Sequence, residues 1–177
     1  INEGISGDRI VDLYARIKRD LLNHKPDYLS ILIGVNDVWH ELNDQNGVAA
    51  PKFEKIYSML IEEIKEELPD IKIFILEPFV LKGCGTERYF DEFLADVKLH
   101  AQAAKNVAEK YDLIFIPLQE KFDEAIAKAQ NVGPIELEFK EQKVTMSYRG
   151  YWSFDYKGFV TMANGGNSDN YGKFVGM

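Results

Sequence analysis

A single cysteine, Cys84, stands among 177 residues, which excludes an intrachain disulfide and any zinc site built on thiolates. That usage points to a reducing compartment, so a cytoplasmic protein is expected. No signal peptide is visible, and secretion stays open because the chain begins mid-pattern at Ile1. Histidine is nearly as scarce. His24, His40 and His100 lie far apart and no two stand at i, i+4 spacing, so no metal site is expected. Positive charge is in deficit: 21 Lys and Arg against 29 Asp and Glu give a net charge of -8, with no basic stripe to hold nucleic acid. Apolar runs are strand-sized, so no membrane span is expected. No strand leads into a glycine-rich phosphate loop, which sets aside a flavodoxin-like nucleotide or flavin domain. No cofactor is expected.

What is present is a globular composition, 46% hydrophobic and 28% charged, in a length that suits one domain with a substantial core. Ile10, Val11, Tyr14, Ile17 and Leu21 recur at helical spacing, with Ser6 or Asp8 as the cap. Pro26 stops that helix and Tyr28 to Ile33 reads as a strand. Pro51 opens a second helix with Phe53, Ile56, Tyr57, Leu60, Ile61 and Ile64 on one face. A strand over 71–76, a long helix from Phe90, a strand over 113–116 and a helix over 118–129 follow. Helices between strands imply right-handed crossovers and a parallel sheet. The expected fold over 1–129 is therefore α/β, a three-layer sandwich with a mainly parallel, flavodoxin-like sheet. From 130 to 177 the pattern changes to alternation, as in Ile135, Leu137 and Phe139 and again in Val144, Met146 and Tyr148. This tail reads as antiparallel β-hairpin material packed on the same domain.

The stretch Ile31-Leu32-Ile33-Gly34-Val35-Asn36-Asp37 carries the most chemical information. An apolar run ends in Gly-x-Asn-Asp, as a buried parallel strand does when its carboxyl end opens into a site. Gly34 lets the backbone turn. The Asn36 amide offers donors to a developing oxyanion without the cost of burying a charge.

Two segments together resemble the SGNH hydrolases, the GDSL-type lipase/esterase family. Ile1-Asn2-Glu3-Gly4-Ile5-Ser6-Gly7-Asp8 is similar to the family's second block, and Gly34-Val35-Asn36-Asp37 to its third, G-x-N-D, with one helix and one strand between them. The resemblance implies acyl transfer from a small acyl or acetyl ester, including carbohydrate esters, through a serine nucleophile with a His base and an orienting Asp. It implies Gly7 as a backbone oxyanion donor at a helix N-terminus and Asn36 as the side-chain donor. Asp37 is expected to fix the turn through local backbone hydrogen bonds. With His40 it is placed beside the substrate, His40 being read as a loop histidine that braces the turn. The family's first block, a strand ending in G-D-S, is not found, and no D-x-x-H lies near the C-terminus.

A family sheet of order 2-1-3-4-5 without its first strand has a central gap. Unpaired backbone there costs about 1–3 kcal/mol per buried group. Three completions are weighed: truncation of a larger protein, a replacement strand from Lys143 to Tyr148, or a strand from a partner or second copy. The second would bring Ser147 to a strand end. Ser6 is read as a helix cap rather than a nucleophile, and Glu77 as a neutraliser of a loop donor. His24 and His100 are read as solvated or structural. Two functional classes remain: an ester hydrolase acting on a small ester substrate, and a catalytically inactive remnant or binding module of the same fold.

Overall fold

The structure is a computed structural model that describes residues 1–82, 86–130, 135–139, 142–148, 152–156 and 159–162. By packing it divides into two compact units, 1–80 with 91–119, and 81–90 with 120–177.

The first unit is an α/β fold, a three-stranded parallel sheet flanked by helices. β1 (Tyr28–Leu32), β2 (Lys72–Leu76) and β3 (Ile114–Ile116) lie in that order. In register Ser30 stands beside Phe74 and Phe74 beside Ile114. α1 (Ile10–Asp20) buries Ile10 and Ile17, and α3 (Ala50–Glu67), opened by Pro51, buries Phe53, Tyr57, Leu60, Ile61 and Ile64. α4 (Phe90–Lys110) turns Ala103, Ala104, Val107 and Ala108 into the same core as Ile31, Ile73 and Ile75. Among the described residues no helix is long and apolar enough to cross a membrane.

Two expectations are corrected here. The sequence reading passed directly from β1 to the Pro51 helix, but a further helix, α2 (Val35–Asp44), begins immediately after Gly34. His40 is therefore a helical residue, not a loop one. Nor is α1 capped by Ser6 or Asp8. The Asp12 carboxylate accepts the Arg9 N–H at 3.0 Å, and Asp8 pairs with Arg16 instead. An acid inside the first turn does the capping work that the sequence assigned to the residue before it.

Among the described residues β1 has one neighbour, β2. The Lys72 N–H donates to Asp27 O at 2.9 Å, so the backbone groups of Asp27, Leu29 and Ile31 face β2. Those of Tyr28, Ser30 and Leu32 face away from it, where the sheet ends. Tyr28 is 71% exposed and Leu32 51%. A groove of about 460 Å³ runs along this free edge, between all five residues of β1, the segment Ile1–Gly4, and the apolar faces of α1 and α3.

The second unit contains α5, which spans Gln119–Gln130 and so begins on the last residue of the first unit, and an antiparallel sheet. β4 (Ile135–Phe139), β5 (Gln142–Tyr148), β6 (Trp152–Tyr156) and β7 (Phe159–Met162) pair in sequence order. β5 has β4 on one side and β6 on the other. Lys143 to Tyr148 is thus a central strand of its own sheet and does not replace a strand beside β1. The turn-rich stretch 164–170 and Cys84 lie outside the described residues.

Candidate active site

Gly34 closes β1 at φ 123°, a left-handed conformation that costs a β-carbon dearly. The space is closed as well. A β-carbon there would stand 3.2 Å from the Pro78 ring and 3.3 Å from Phe53 Cζ. Glycine lets the chain reverse against this wall and enter α2 at the carboxyl edge of the sheet. Its first two turns then carry Asn36, Asp37 and His40.

All three side chains reach the same segment, the entry to α1. Asn36 Nδ2 donates to Asp8 O at 3.0 Å. The Asp37 carboxylate accepts the Ile10 N–H, with its oxygens 3.1 and 3.3 Å away. His40 Nε2 lies 3.0 Å from Gly7 O; a carbonyl only accepts, so this nitrogen carries the proton. Arg9 adds the fourth tie, its Nη1 donating at 2.6 Å to Asn46 O, just beyond the end of α2. Four consecutive residues, Gly7 through Ile10, are thereby fastened to one short stretch of chain, each to a partner 27 or more residues downstream.

The fastening distributes donors. At the N-terminus of α1 the Arg9 N–H is taken by Asp12, the Ile10 N–H by Asp37, and the Asp8 N–H by Ile5 O at 3.3 Å. Gly7, exposed and held at φ 92°, keeps its N–H without an acceptor among the described residues. Asn36 is half-buried and spends one of its two amide hydrogens on Asp8 O, leaving the other. Two neutral donors therefore remain at a helix N-terminus, which is where an oxyanion is stabilised.

Asp37 is 1% exposed. Burial pushes its carboxyl up from the ordinary 3.8 to about 7, against the pull of the Ile10 N–H and the Arg9 guanidinium. Asp12 goes the other way, held low by its hydrogen bonds to Arg9. Although Asp37 and His40 are three residues apart on α2, no hydrogen bond joins the His40 ring to the Asp37 carboxylate. Each is committed to a different atom of the α1 entry.

Over Asp37 the chain folds back. Its main-chain oxygen accepts the Val48 N–H at 3.3 Å, and a β-carbon on Gly47 would stand 2.3 Å from that same oxygen. Val48 O in turn lies 2.7 Å from Nε2 of the buried His100, whose Nδ1 is 2.8 Å from Asp96 O. A second tie closes the same edge of the sheet: Glu77 Oε2 accepts the N–H groups of Leu118 (2.6 Å) and Gln119 (2.9 Å) at the opening of α5.

The structure thus brings together Gly7, Asn36, Asp37 and His40, the four residues singled out in the sequence. The Asp37 carboxylate bonds beyond its own turn, to a residue 27 positions upstream. Sequence reasoning missed Arg9, Ile10 and Gly47. The signal for Gly47 was a lone glycine after a polar run, which only the close approach of α2 explains. Ser147 and Asp155 fall on β5 and β6 of the other unit.

The chain is similar to known proteins. The model of the GDSL-like lipase/acylhydrolase family matches residues 1–134. An acetylxylan esterase of Geobacillus stearothermophilus is 31% identical over 131 residues, 71% of this chain and 57% of that one. Its crystal structure aligns with a TM-score of 0.63 at 30% identity, covering 72% of this chain and 57% of its own. Catalytic mutants of that enzyme replace a serine, an aspartate and a histidine by alanine. A protein of Parabacteroides merdae described as a GDSL-like lipase aligns with a TM-score of 0.67 at 36% identity, over 72% of this chain and 58% of its own. The chain thus spans less than three-fifths of the length of these relatives.

Proposed function

This chain belongs to the GDSL-like lipase/acylhydrolase family, and from that premise we propose that it carries the oxyanion-stabilising half of an ester hydrolase. The substrate class is a small acyl or acetyl ester, including esters borne on carbohydrate, cleaved by serine acyl transfer. One observation carries the reading. The Gly7 N–H and one Asn36 amide hydrogen have no acceptor among the described residues, while the N–H groups of Asp8, Arg9 and Ile10 that follow Gly7 are each taken. As a nucleophile adds to an ester carbonyl, the oxygen gains a full negative charge. Neutral donors fixed beforehand stabilise that charge more than they stabilise the ground state. The relatives' activity on acetylated xylan supports acetyl as the acyl group.

The finer architecture belongs to the same proposal. The free edge of β1 and its groove take one more parallel strand, from a partner or from further polypeptide, completing a three-layer, flavodoxin-like sandwich. An exposed row of backbone donors and acceptors beside an apolar groove is the surface to which strands add.

A second reading is favoured by a different observation, the lack of a G-D-S sequence and of a C-terminal D-x-x-H. In it the chain keeps the fold and the donors without turnover, as a binding module. Hydrolysis of p-nitrophenyl acetate, combined with fluorophosphonate labelling, separates the two. Turnover with one labelled serine supports the hydrolase reading for this chain. No labelling at high protein concentration rejects the hydrolase for this chain.

A further inference from the structure

The Asp37 carboxylate is a buried ionisable group in the core of the first unit. It is almost fully buried, sealed by the strap 46–48, and unpaired with any cation at hydrogen-bond distance. Its hydrogen-bonded partners are backbone N–H groups, that of Ile10 on another helix and its own. A group of this kind is retained for what it holds in place, since an apolar residue would fill the same space at lower cost.

We propose that Asp37 is the positioning residue of the site: by taking the Ile10 N–H it locks the first turn of α1 against the first turn of α2. The lock fixes where the Gly7 N–H stands relative to the Asn36 amide. It rests on the reading of Gly7 and Asn36 as the oxyanion donors.

The geometry has two consequences. First, the Ile10 N–H is removed from competition. Left free, it would be a buried donor near Gly7, and the α1 terminus would offer a negative oxygen two alternative positions three residues apart. Second, the lock is rigid from both sides. Ile10 is fully buried on α1, and the Asp37 main chain is pinned by the Val48 N–H, with no room for a side chain at Gly47. Asn36 and His40 sit on the same two turns as Asp37. A shift at the Ile10 contact therefore moves both of their hydrogen bonds, to Asp8 O and Gly7 O, together.

The test is an amide nuclear magnetic resonance spectrum of the whole chain, reading the Gly7 N–H, the Asn36 side-chain NH2 and the exchange rate of the Ile10 N–H. Asp37→Ala is expected to displace the Gly7 and Asn36 signals and to speed Ile10 exchange at least a hundredfold, while the amides of Val97 and Val107 on α4 keep their positions. Asp37→Asn, which retains one acceptor oxygen, is expected to restore the Gly7 and Asn36 signals. Unmoved signals in a folded Asp37→Ala protein overturn the proposal, as does an Asn variant displaced as far as the Ala one. Should Asp37→Ala not fold, Ile10 exchange in the unaltered chain decides: protection equal to that of Val97 supports the lock, and exchange at the rate of an exposed amide overturns it. Ester turnover is measured separately. An inactive chain with displaced signals keeps the lock and loses the hydrolase, and an active chain with unmoved signals does the reverse.

Discussion

β1 is finished in two opposite ways. Beyond its carboxyl end Asn36, Asp37, His40 and Asn46 are each hydrogen-bonded to the entry of α1, at Asp8, Ile10, Gly7 and Arg9. Along its free edge the backbone of Tyr28, Ser30 and Leu32 faces no strand, and two large apolar side chains lie in solvent. The difference teaches where each kind of order comes from. The clamp is made by one short helix folding onto the entry of another, so a motif of a few residues suffices to build it. A sheet edge is completed only by another strand, and no local sequence can supply that.

The contrast can be broken most severely through pH. The folded-state pKa of Asp37 is raised from 3.8 to about 7, so the protonated form is the one favoured by folding. Its contribution is fully present below about pH 4 and is lost as pH rises through 7. At about 1.4 kcal/mol per pKa unit the loss is roughly 4 kcal/mol at most. Chemical denaturation of wild type and Asp37→Asn at pH 5 and pH 8 measures it. The variant is expected to gain on the wild type at pH 8, and parallel pH profiles for the two would remove the buried carboxyl from the account.

Next in size, Asn36→Ala takes one donor away without touching the core. Turnover of an acetyl ester is expected to fall roughly a hundredfold or more in kcat, with the melting temperature little changed. An unchanged kcat refutes the donor role.

Gly34→Ala tests the wall that turns the chain into α2. The positive φ and the 3.2 Å approach to Pro78 together predict about 1–3 kcal/mol of destabilisation, read by denaturant midpoint. The smallest effect belongs to the free edge. Leu32→Lys changes a half-exposed residue and is expected to leave the unfolding free energy within about 0.5 kcal/mol. A large loss there would mean that β1 is covered in solution.

Much of this was legible in the sequence for a physical reason. The buried strands and helices announce themselves because one face must be apolar: Ile31, Ile73 and Ile75 on the sheet, Phe53, Tyr57 and Ile61 on α3. Gly7, Asn36, Asp37 and His40 could be singled out because each lies in or beside a short motif, Ile5-Ser6-Gly7-Asp8 or Gly34-Val35-Asn36-Asp37. α2 was missed because its first turn is that same motif, so Val35 to Asp37 were read as the opening beyond a strand end and no element was assigned to the residues up to Pro51. The partner of Asp37 was missed because Ile10 contributes only a backbone N–H, and every residue except proline has one. Gly47 was passed over since its reason, the Asp37 oxygen, comes near only when α2 and the following strap fold together.

The central claim is that one end of β1 is locked and its edge is free. Native-state hydrogen exchange tests it in a single experiment by comparing the amides of Ile10 and Ser30. The account predicts that Ile10 exchanges only on global unfolding, as slowly as Val97, while Ser30 exchanges orders of magnitude faster. A protected Ser30 beside a rapidly exchanging Ile10 would contradict it.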